Sequence, residues 1–287
     1  MRKYKLSRYN ILFGYKNKYY IYNSMSNALA NIEKELYVSL QKENLKDIDK
    51  YYKNLQRGNF IIPTDLNELE KINFLYEKWK HKNLLALTLV PTLMCNLHCK
   101  YCYQKRRNEK MNEEIYKAIL NYTIKNFLKK NIKSVSLTWY GGEPLLLKQD
   151  IIKFHKDLSN FVEKKSIETN IVTNGILLNR DFINTLKKLT KIHQIQVTFD
   201  GSKEIHDRKR YLKNGKGTYD IILNNVLSII DLVPISIRVN IDKTSIKSID
   251  TLLEHFVSLN LNKHKNFILY FGHLRKYSEG GEDNTTS

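Results

Sequence analysis

The chain has 287 residues, 42% of them hydrophobic, with only 4 prolines and 11 glycines, so it can build a sizeable core and lacks the composition of a fibrous or disordered protein. Its formal charge of +19 comes from lysines spread along the whole chain among asparagine, isoleucine and tyrosine, a texture that does not point to nucleic acid as a partner. No run of about 18 apolar residues occurs, and the basic start Met1 to Tyr9 lacks the apolar stretch of a secretory signal, so no membrane partner and a cytoplasmic location are expected.

Residues 1–82 read as a small N-terminal α+β segment. Two aromatic runs, Tyr9 to Gly14 and Tyr19 to Tyr22, predict a hairpin turning around Lys16 to Lys18. Two or three helices follow. The clearest spans Asp65 to Lys80, where Leu66, Leu69, Ile72, Leu75 and Trp79 recur at helical spacing behind the start signal Pro63-Thr64-Asp65.

From Leu84 the texture changes to apolar runs alternating with amphipathic stretches. Six strands are predicted: Leu84 to Val90, Ser134 to Tyr140, Ile167 to Thr173, Ile195 to Phe199, Ile235 to Ile241 and Phe267 to Phe271. Between them, Asn112 to Lys129, Lys148 to Glu163, Arg180 to Leu189, Tyr219 to Ile230 and Ser248 to Leu259 show helical periodicity. The expected fold class is α/β: a partial (β/α)6 parallel barrel over residues 83–275, closed by right-handed crossovers. In such a barrel the chemistry sits in the loops after the strands. Residues 276–287, rich in glycine, acid and threonine, are expected to be a disordered tail.

All three cysteines, Cys95, Cys99 and Cys102, fall in the loop after the first barrel strand, which excludes a disulfide framework. Closely spaced thiolates on one loop suit an iron–sulfur cubane, and three ligands for four irons leave one iron open to an external chelator. The alternatives are a zinc site, which wants four ligands and finds His98 poorly placed beside Cys99, and three inert buried thiols.

Other strand ends carry polar groups. Trp139-Tyr-Gly-Gly-Glu-Pro144 follows the second strand, its glycines letting backbone approach a ligand while Glu143 stands ready for a cation. Val172-Thr-Asn-Gly175 ends the third, with side chains able to cap a helix or bond a ribose. Val197-Thr-Phe-Asp-Gly201 ends the fourth and leads into Ile205-His-Asp-Arg-Lys-Arg210. There Thr198 and Asp200 would face the pocket, Asp200 as substrate contact or proton acceptor, while His206, Asp207 and Arg210 brace the loop. An ordinary Asp-Gly turn is the competing reading. On the fifth strand, Ser236, Arg238 and Asn240 share a face by period-two alternation; the alternative to a ligand-binding face is a polar surface stripe.

The spacing C-x-x-x-C-x-x-C with an aromatic before the last cysteine resembles the hallmark loop of the radical S-adenosylmethionine (radical SAM) superfamily. The superfamily has a similar Gly-Gly-Glu-Pro loop, and Val197-Thr-Phe-Asp-Gly201 followed by Ile205-His-Asp-Arg-Lys-Arg210 resembles the subgroup of anaerobic sulfatase-maturating enzymes and ribosomal-peptide maturases. The resemblance implies a 4Fe–4S cluster on Cys95, Cys99 and Cys102 that cleaves S-adenosylmethionine to a 5′-deoxyadenosyl radical. It also implies cofactor contacts at Tyr101, Gly141, Gly142, Glu143, Thr173, Asn174, Thr198, Arg238 and Asn240. A peptide or protein substrate and an external electron donor such as flavodoxin or ferredoxin are the expected partners, and residues 1–82 become a candidate leader- or substrate-binding unit. The subgroup's cysteine-rich extension with auxiliary clusters has no counterpart after Cys102. A truncated or non-catalytic cluster-binding fragment is therefore the alternative reading, and an RNA-modifying enzyme, supported by charge alone, the weaker one.

Overall fold

A computed structural model describes residues 4–45, 49–80, 83–104, 107–129 and 132–274. The chain divides into two units, Met1–Lys82 and Asn83–Ser287. The expected tail, 276–287, lies outside the described residues.

The first unit holds strands β1 (Tyr4–Leu6), β2 (Asn10–Tyr15), β3 (Lys18–Asn23) and β4 (Ala28–Ile32), helices α1 (Lys34–Gln41) and α2 (Tyr52–Arg57), strand β5 (Ile61–Pro63) and helix α3 (Glu68–Lys80). The predicted hairpin is β2 against β3, turning through Lys16 and Asn17, both at positive φ. Two pairings were not anticipated: β4 adds a third antiparallel strand beside β3, and β1 pairs with β5 although β2–β4, α1 and α2 lie between them in the chain. Helix α3 starts three residues later than expected because Asn67, not Asp65, caps it, its Oδ1 accepting from the Leu69 and Glu70 amides. Ile21, Leu36, Leu40, Leu55, Phe60 and Ile61 form this unit's core.

The second unit alternates strand and helix: β6 (Leu84–Leu89), α4 (Glu113–Lys129), β7 (Ser134–Trp139), α5 (Lys148–Ser159), β8 (Ile167–Thr173), α6 (Arg180–Leu189), β9 (Lys191–Phe199), α7 (Lys203–Lys209), α8 (Tyr219–Ile229), β10 (Ile235–Ile241), α9 (Ile249–Ser258) and β11 (Phe267–His273). All six strands pair in parallel, in sequence order from β6 to β11. That single direction of winding is the partial barrel the periodicity predicts. The fourth barrel strand begins at Lys191, four residues before its apolar run, where a register shift between Thr169 and Asn170 of β8 accommodates the polar start.

The sheet has two chemically different faces. Val135, Leu137, Ile171, Ile195, Val197, Phe199, Ile237 and Val239 are buried against the helices in one continuous core with Phe154, Leu186, Ile222 and Leu252. The register brings Thr138, Asn170, Gln194, Gln196, Thr198, Ser236, Arg238 and Asn240 to the other face. A concave face this polar can stay polar only where water or a ligand meets it, and the cysteine loop lies at its carboxyl end.

Candidate active site

The cysteine loop leaves β6 at Val90 and is held by backbone bonds on two sides. On the first, the Leu93 amide donates to Glu109 O (3.0 Å) and the Met111 amide to Pro91 O (2.8 Å). On the second, the His98 amide donates to Tyr211 O (2.8 Å) and the Lys100 amide to Lys209 O (3.1 Å), with Leu97 bridged to Leu212. This antiparallel contact between 97–100 and 209–212, one isolated bridge and two backbone bonds, carries no alternation that would betray it in sequence. Cys95 and Cys99 are half-buried, Cys102 is exposed, and all three are free thiols. Burial pushes the Cys95 and Cys99 thiols up, with Arg210 pulling both back toward thiolate.

Gly141 and Gly142 are required by this loop. The Gly142 amide donates to Thr92 O (3.1 Å) and the Glu143 amide to Met94 O (2.8 Å). A Cβ on Gly142 would stand 2.1 Å from Met94 O, and one on Gly141, whose φ is +129°, 2.6 Å from Thr92 O. The close approach expected toward a ligand is thus an approach to the cysteine loop's own backbone.

Glu143 also departs from expectation. Its carboxylate is fully buried and accepts from the Leu145 amide (3.0 Å), Thr173 Oγ1 (2.7 Å) and the Asn174 amide (2.8 Å). Burial pushes its carboxyl up while these donors favour the ionised form. The side chain fastens the second strand's loop to the end of the third rather than waiting for a cation, and Thr173, bound to it, is not presented to a ribose. Removing the acceptor strands three buried donors at about 1–3 kcal/mol each. Glu143→Leu is therefore expected to lose at least about 3 kcal/mol in urea denaturation of the cluster-free chain, and Glu143→Gln clearly less; equal stability of Glu143→Leu and wild type would contradict the assignment. Asn174 reaches the cysteine loop, its Nδ2 donating to Asn96 Oδ1 (2.7 Å) and lying 3.7 Å from Cys95 Sγ.

The third assembly centres on Tyr101. Its hydroxyl donates to Asp200 Oδ2 (2.6 Å) and accepts from Arg210 Nη1 (2.8 Å) and Asn240 Nδ2 (3.2 Å). Asp200 has no exposed surface, and its Oδ2 lies 4.0 Å from Arg210 Nε. Burial pushes the Asp200 carboxyl up against the pull of Arg210 and Tyr101. The carboxylate, expected as a substrate contact or proton acceptor, meets Tyr101 of the cysteine loop in this structure. His206, fully buried, lies 3.4 Å from the Asp200 amide through Nδ1 and 3.1 Å from Thr218 Oγ1 through Nε2, while Asp207 accepts from the Thr218 and Tyr219 amides to cap α8. These two brace the loop as expected.

On β10, Arg238 is half-buried and its Nε donates to Asn240 Oδ1 (3.0 Å), beside Thr198 in register on β9. Gly272 makes room for it, since a Cβ there would fall 2.6 Å from Arg238 Nε. Sequence reading missed Gly272 and Asn96, and also the hydrogen bond (2.7 Å) between the hydroxyls of Tyr103 and Tyr140, each one residue from a key motif.

The donor set decides which cofactor fits. A closed zinc site wants four ligands, and the loop offers three thiols. A cubane is gripped at separate corners by thiolates, and three cysteines spread along one braced loop suit that shape. Arg238 and Asn240 on the polar face, a cation beside an amide, suit a ligand carrying a carboxylate and hydroxyls.

Fold and site together define an open parallel barrel with a soft-ligand loop at the carboxyl end of its first strand. The chain belongs to the radical SAM superfamily, whose family model matches residues 89–256. Membership brings with it the cofactor pair, a 4Fe–4S cluster and S-adenosylmethionine. The chain is 29% identical over 154 residues to the cysteine-type anaerobic sulfatase-maturating enzyme of Clostridium novyi, covering 50% of this chain and 40% of that one. It is 26% identical over 265 residues to the radical SAM cyclopropyl synthase TigE of Paramaledivibacter caminithermalis, covering 79% and 54%. Among solved structures, anSMEcpe with bound AdoMet and Cp18Cys peptide superposes with a TM-score of 0.57 at 23% identity, covering 70% of this chain and 54% of that one, a likeness of fold. The chain spans about half the length, or less, of these relatives. Among the described residues no helix is long and apolar enough to cross a membrane.

Proposed function

We propose that this chain cleaves S-adenosylmethionine reductively at a 4Fe–4S cluster held by Cys95, Cys99 and Cys102, and that the product radical abstracts hydrogen from a peptide or protein side chain. The observation that carries the reading is the three-cysteine loop, backed by Gly141-Gly142-Glu143 and by Tyr101's bonds to Asp200, just past β9, and to Asn240 on β10. When bound, the cluster supplies the electron that breaks the carbon–sulfur bond of S-adenosylmethionine, giving methionine and the 5′-deoxyadenosyl radical.

In this reading each residue has a distinct task. The Gly141–Gly142 backbone and Glu143 hold the cysteine loop against the second and third strands and shape the cofactor's amino-group site, while Tyr101, Thr198, Arg238 and Asn240 line the adenosyl and carboxylate sites. Thr173 and Asn174 act by fixing Glu143 and Asn96, and Asp200 by fixing Tyr101. The peptide substrate is supported by the name of the Clostridium novyi relative, a sulfatase-maturating enzyme, and by a structural neighbour solved with a peptide. A low-potential donor of the flavodoxin or ferredoxin type would supply the electron, and three free thiols suit a reducing compartment such as the cytoplasm.

The test is anaerobic reconstitution with iron and sulfide, reduction with dithionite, and incubation with S-adenosylmethionine. Release of 5′-deoxyadenosine is the expected result; a fully loaded cluster that releases none would reassign the chain to cluster binding without turnover.

A further inference from the structure

We propose that Arg210 is the fixed buried cation that sets the reduction potential of the centre on the cysteine loop, with Cys99 as the ligand it acts on most directly. The proposal rests on the cluster assignment above and goes beyond it, because a bracing arginine and a potential-setting arginine differ in what their charge does.

Register carries the argument. His98 pairs with Tyr211 and Lys100 with Lys209 by main-chain bonds, and Leu97 is bridged to Leu212. In that antiparallel contact Cys99 stands directly opposite Arg210. The two residues are therefore neighbours across the paired segments, and the Arg210 charge acts on the Cys99 thiol. Tyr101, two residues on, accepts from Arg210 Nη1 at 2.8 Å and fixes where the side chain points.

The energetics follow from burial. Arg210 is only 7% exposed, and a buried guanidinium is costly unless negative charge faces it. A guanidinium keeps its proton in proteins at every accessible pH, so this charge is fixed. The protein supplies little to balance it: Arg210 Nε is buried without a hydrogen-bond partner, Asp200 is 4.0 Å away and also occupied by Tyr101, and Glu143, which feels the Arg210 charge, is already held by three donors of its own. A cation this incompletely matched by its own carboxylate is left to be balanced by the thiolates. Reduction adds one electron, and so one negative charge, to the centre those thiolates hold. A fixed positive charge across the contact, in a medium of low dielectric, favours the reduced form.

The test is an EPR-monitored redox titration of the reconstituted full chain with dithionite as reductant, comparing wild type, Arg210→Lys and Arg210→Met. The neutral variant is expected to be at least tenfold harder to reduce, a midpoint about 59 mV lower for a one-electron couple. Arg210→Lys, which keeps the charge but not the fork, is expected to stay near wild type. If Arg210→Met takes up no cluster, Arg210→Gln, which can still donate to the Tyr101 hydroxyl, takes its place. A neutral variant titrating with wild type, a lysine variant falling as far as the neutral one, or loss of the cluster from every variant would each overturn the proposal and leave Arg210 a packing residue. None of these outcomes touches the release of 5′-deoxyadenosine by wild type, so the two readings fail separately.

Discussion

Cys99→Ala is expected to lose the 4Fe–4S cluster and, with it, cleavage of S-adenosylmethionine. The three thiols lie on one loop, and the chain contains no fourth cysteine to replace a missing ligand. Outer-shell changes at metal sites cost about 10–100-fold in affinity or activity; removing a ligand should exceed that, so a loss of more than about 100-fold is the expectation for 5′-deoxyadenosine formation, together with iron and sulfide contents near background. Cys99 is also the ligand most firmly placed, between the His98 and Lys100 amides that bond the 209–212 segment. A variant retaining a full cluster would show that another group holds the iron and would remove the basis of the ligand assignment.

Gly142→Ala is expected to be nearly as damaging, for a reason that has nothing to do with the cofactor. The new methyl group would sit 2.1 Å from Met94 O and 2.7 Å from Leu93 O, both backbone atoms that cannot turn aside as a side chain would. Either the Gly142–Thr92 and Glu143–Met94 bonds break or the cysteine loop shifts as a whole. Overpacking of this kind costs about 1–3 kcal/mol and sometimes more, here at the point that positions Cys95. We expect a loss of about 2 kcal/mol or more in urea denaturation and at least a tenfold loss in S-adenosylmethionine binding by the reconstituted protein. Gly14→Ala, where a Cβ meets only ordinary contacts at 3.7–3.9 Å, is the control and should change little. Equal behaviour of the two variants would mean that the loop tolerates displacement.

The barrel was legible because its strands are buried on at least one face. Ile167 to Thr173 and Ile235 to Ile241 match the observed strands end for end: apolar residues recur at every second position of the second, and in the first the buried positions alternate through Ile167, Thr169, Ile171 and Thr173. The first four residues of β9 escaped notice because Lys191, His193 and Gln194 face away from the core. Strand β4, with two alanines in five residues, gives too little apolar contrast to register, and the pairing of β1 with β5 joins segments some sixty residues apart that are too short to carry a period.

At the site, residue types were legible and directions were not. Cysteine spacing and paired glycines survive without knowledge of the fold, because the cluster and the tight backbone approach both act locally. Whether Glu143 faces a ligand or the protein depends on Thr173 and Asn174, some thirty residues away, and whether Asp200 faces substrate depends on Tyr101, 99 residues away. In both cases burial turned a carboxylate that looked reactive into a bracing group. Arg210 shows the converse: its place in a His-Asp…Arg run suggested a brace, and only the pairing opposite Cys99 reveals the charge beside a ligand.

The most direct test of the central claim, a three-cysteine cluster with one iron open to S-adenosylmethionine, is the EPR spectrum of the dithionite-reduced, reconstituted chain with and without S-adenosylmethionine. The claim predicts a reduced-cluster signal whose g-values shift when S-adenosylmethionine is added at saturation. A reduced-cluster spectrum unchanged by S-adenosylmethionine would mean that no iron is open to it and would contradict the account.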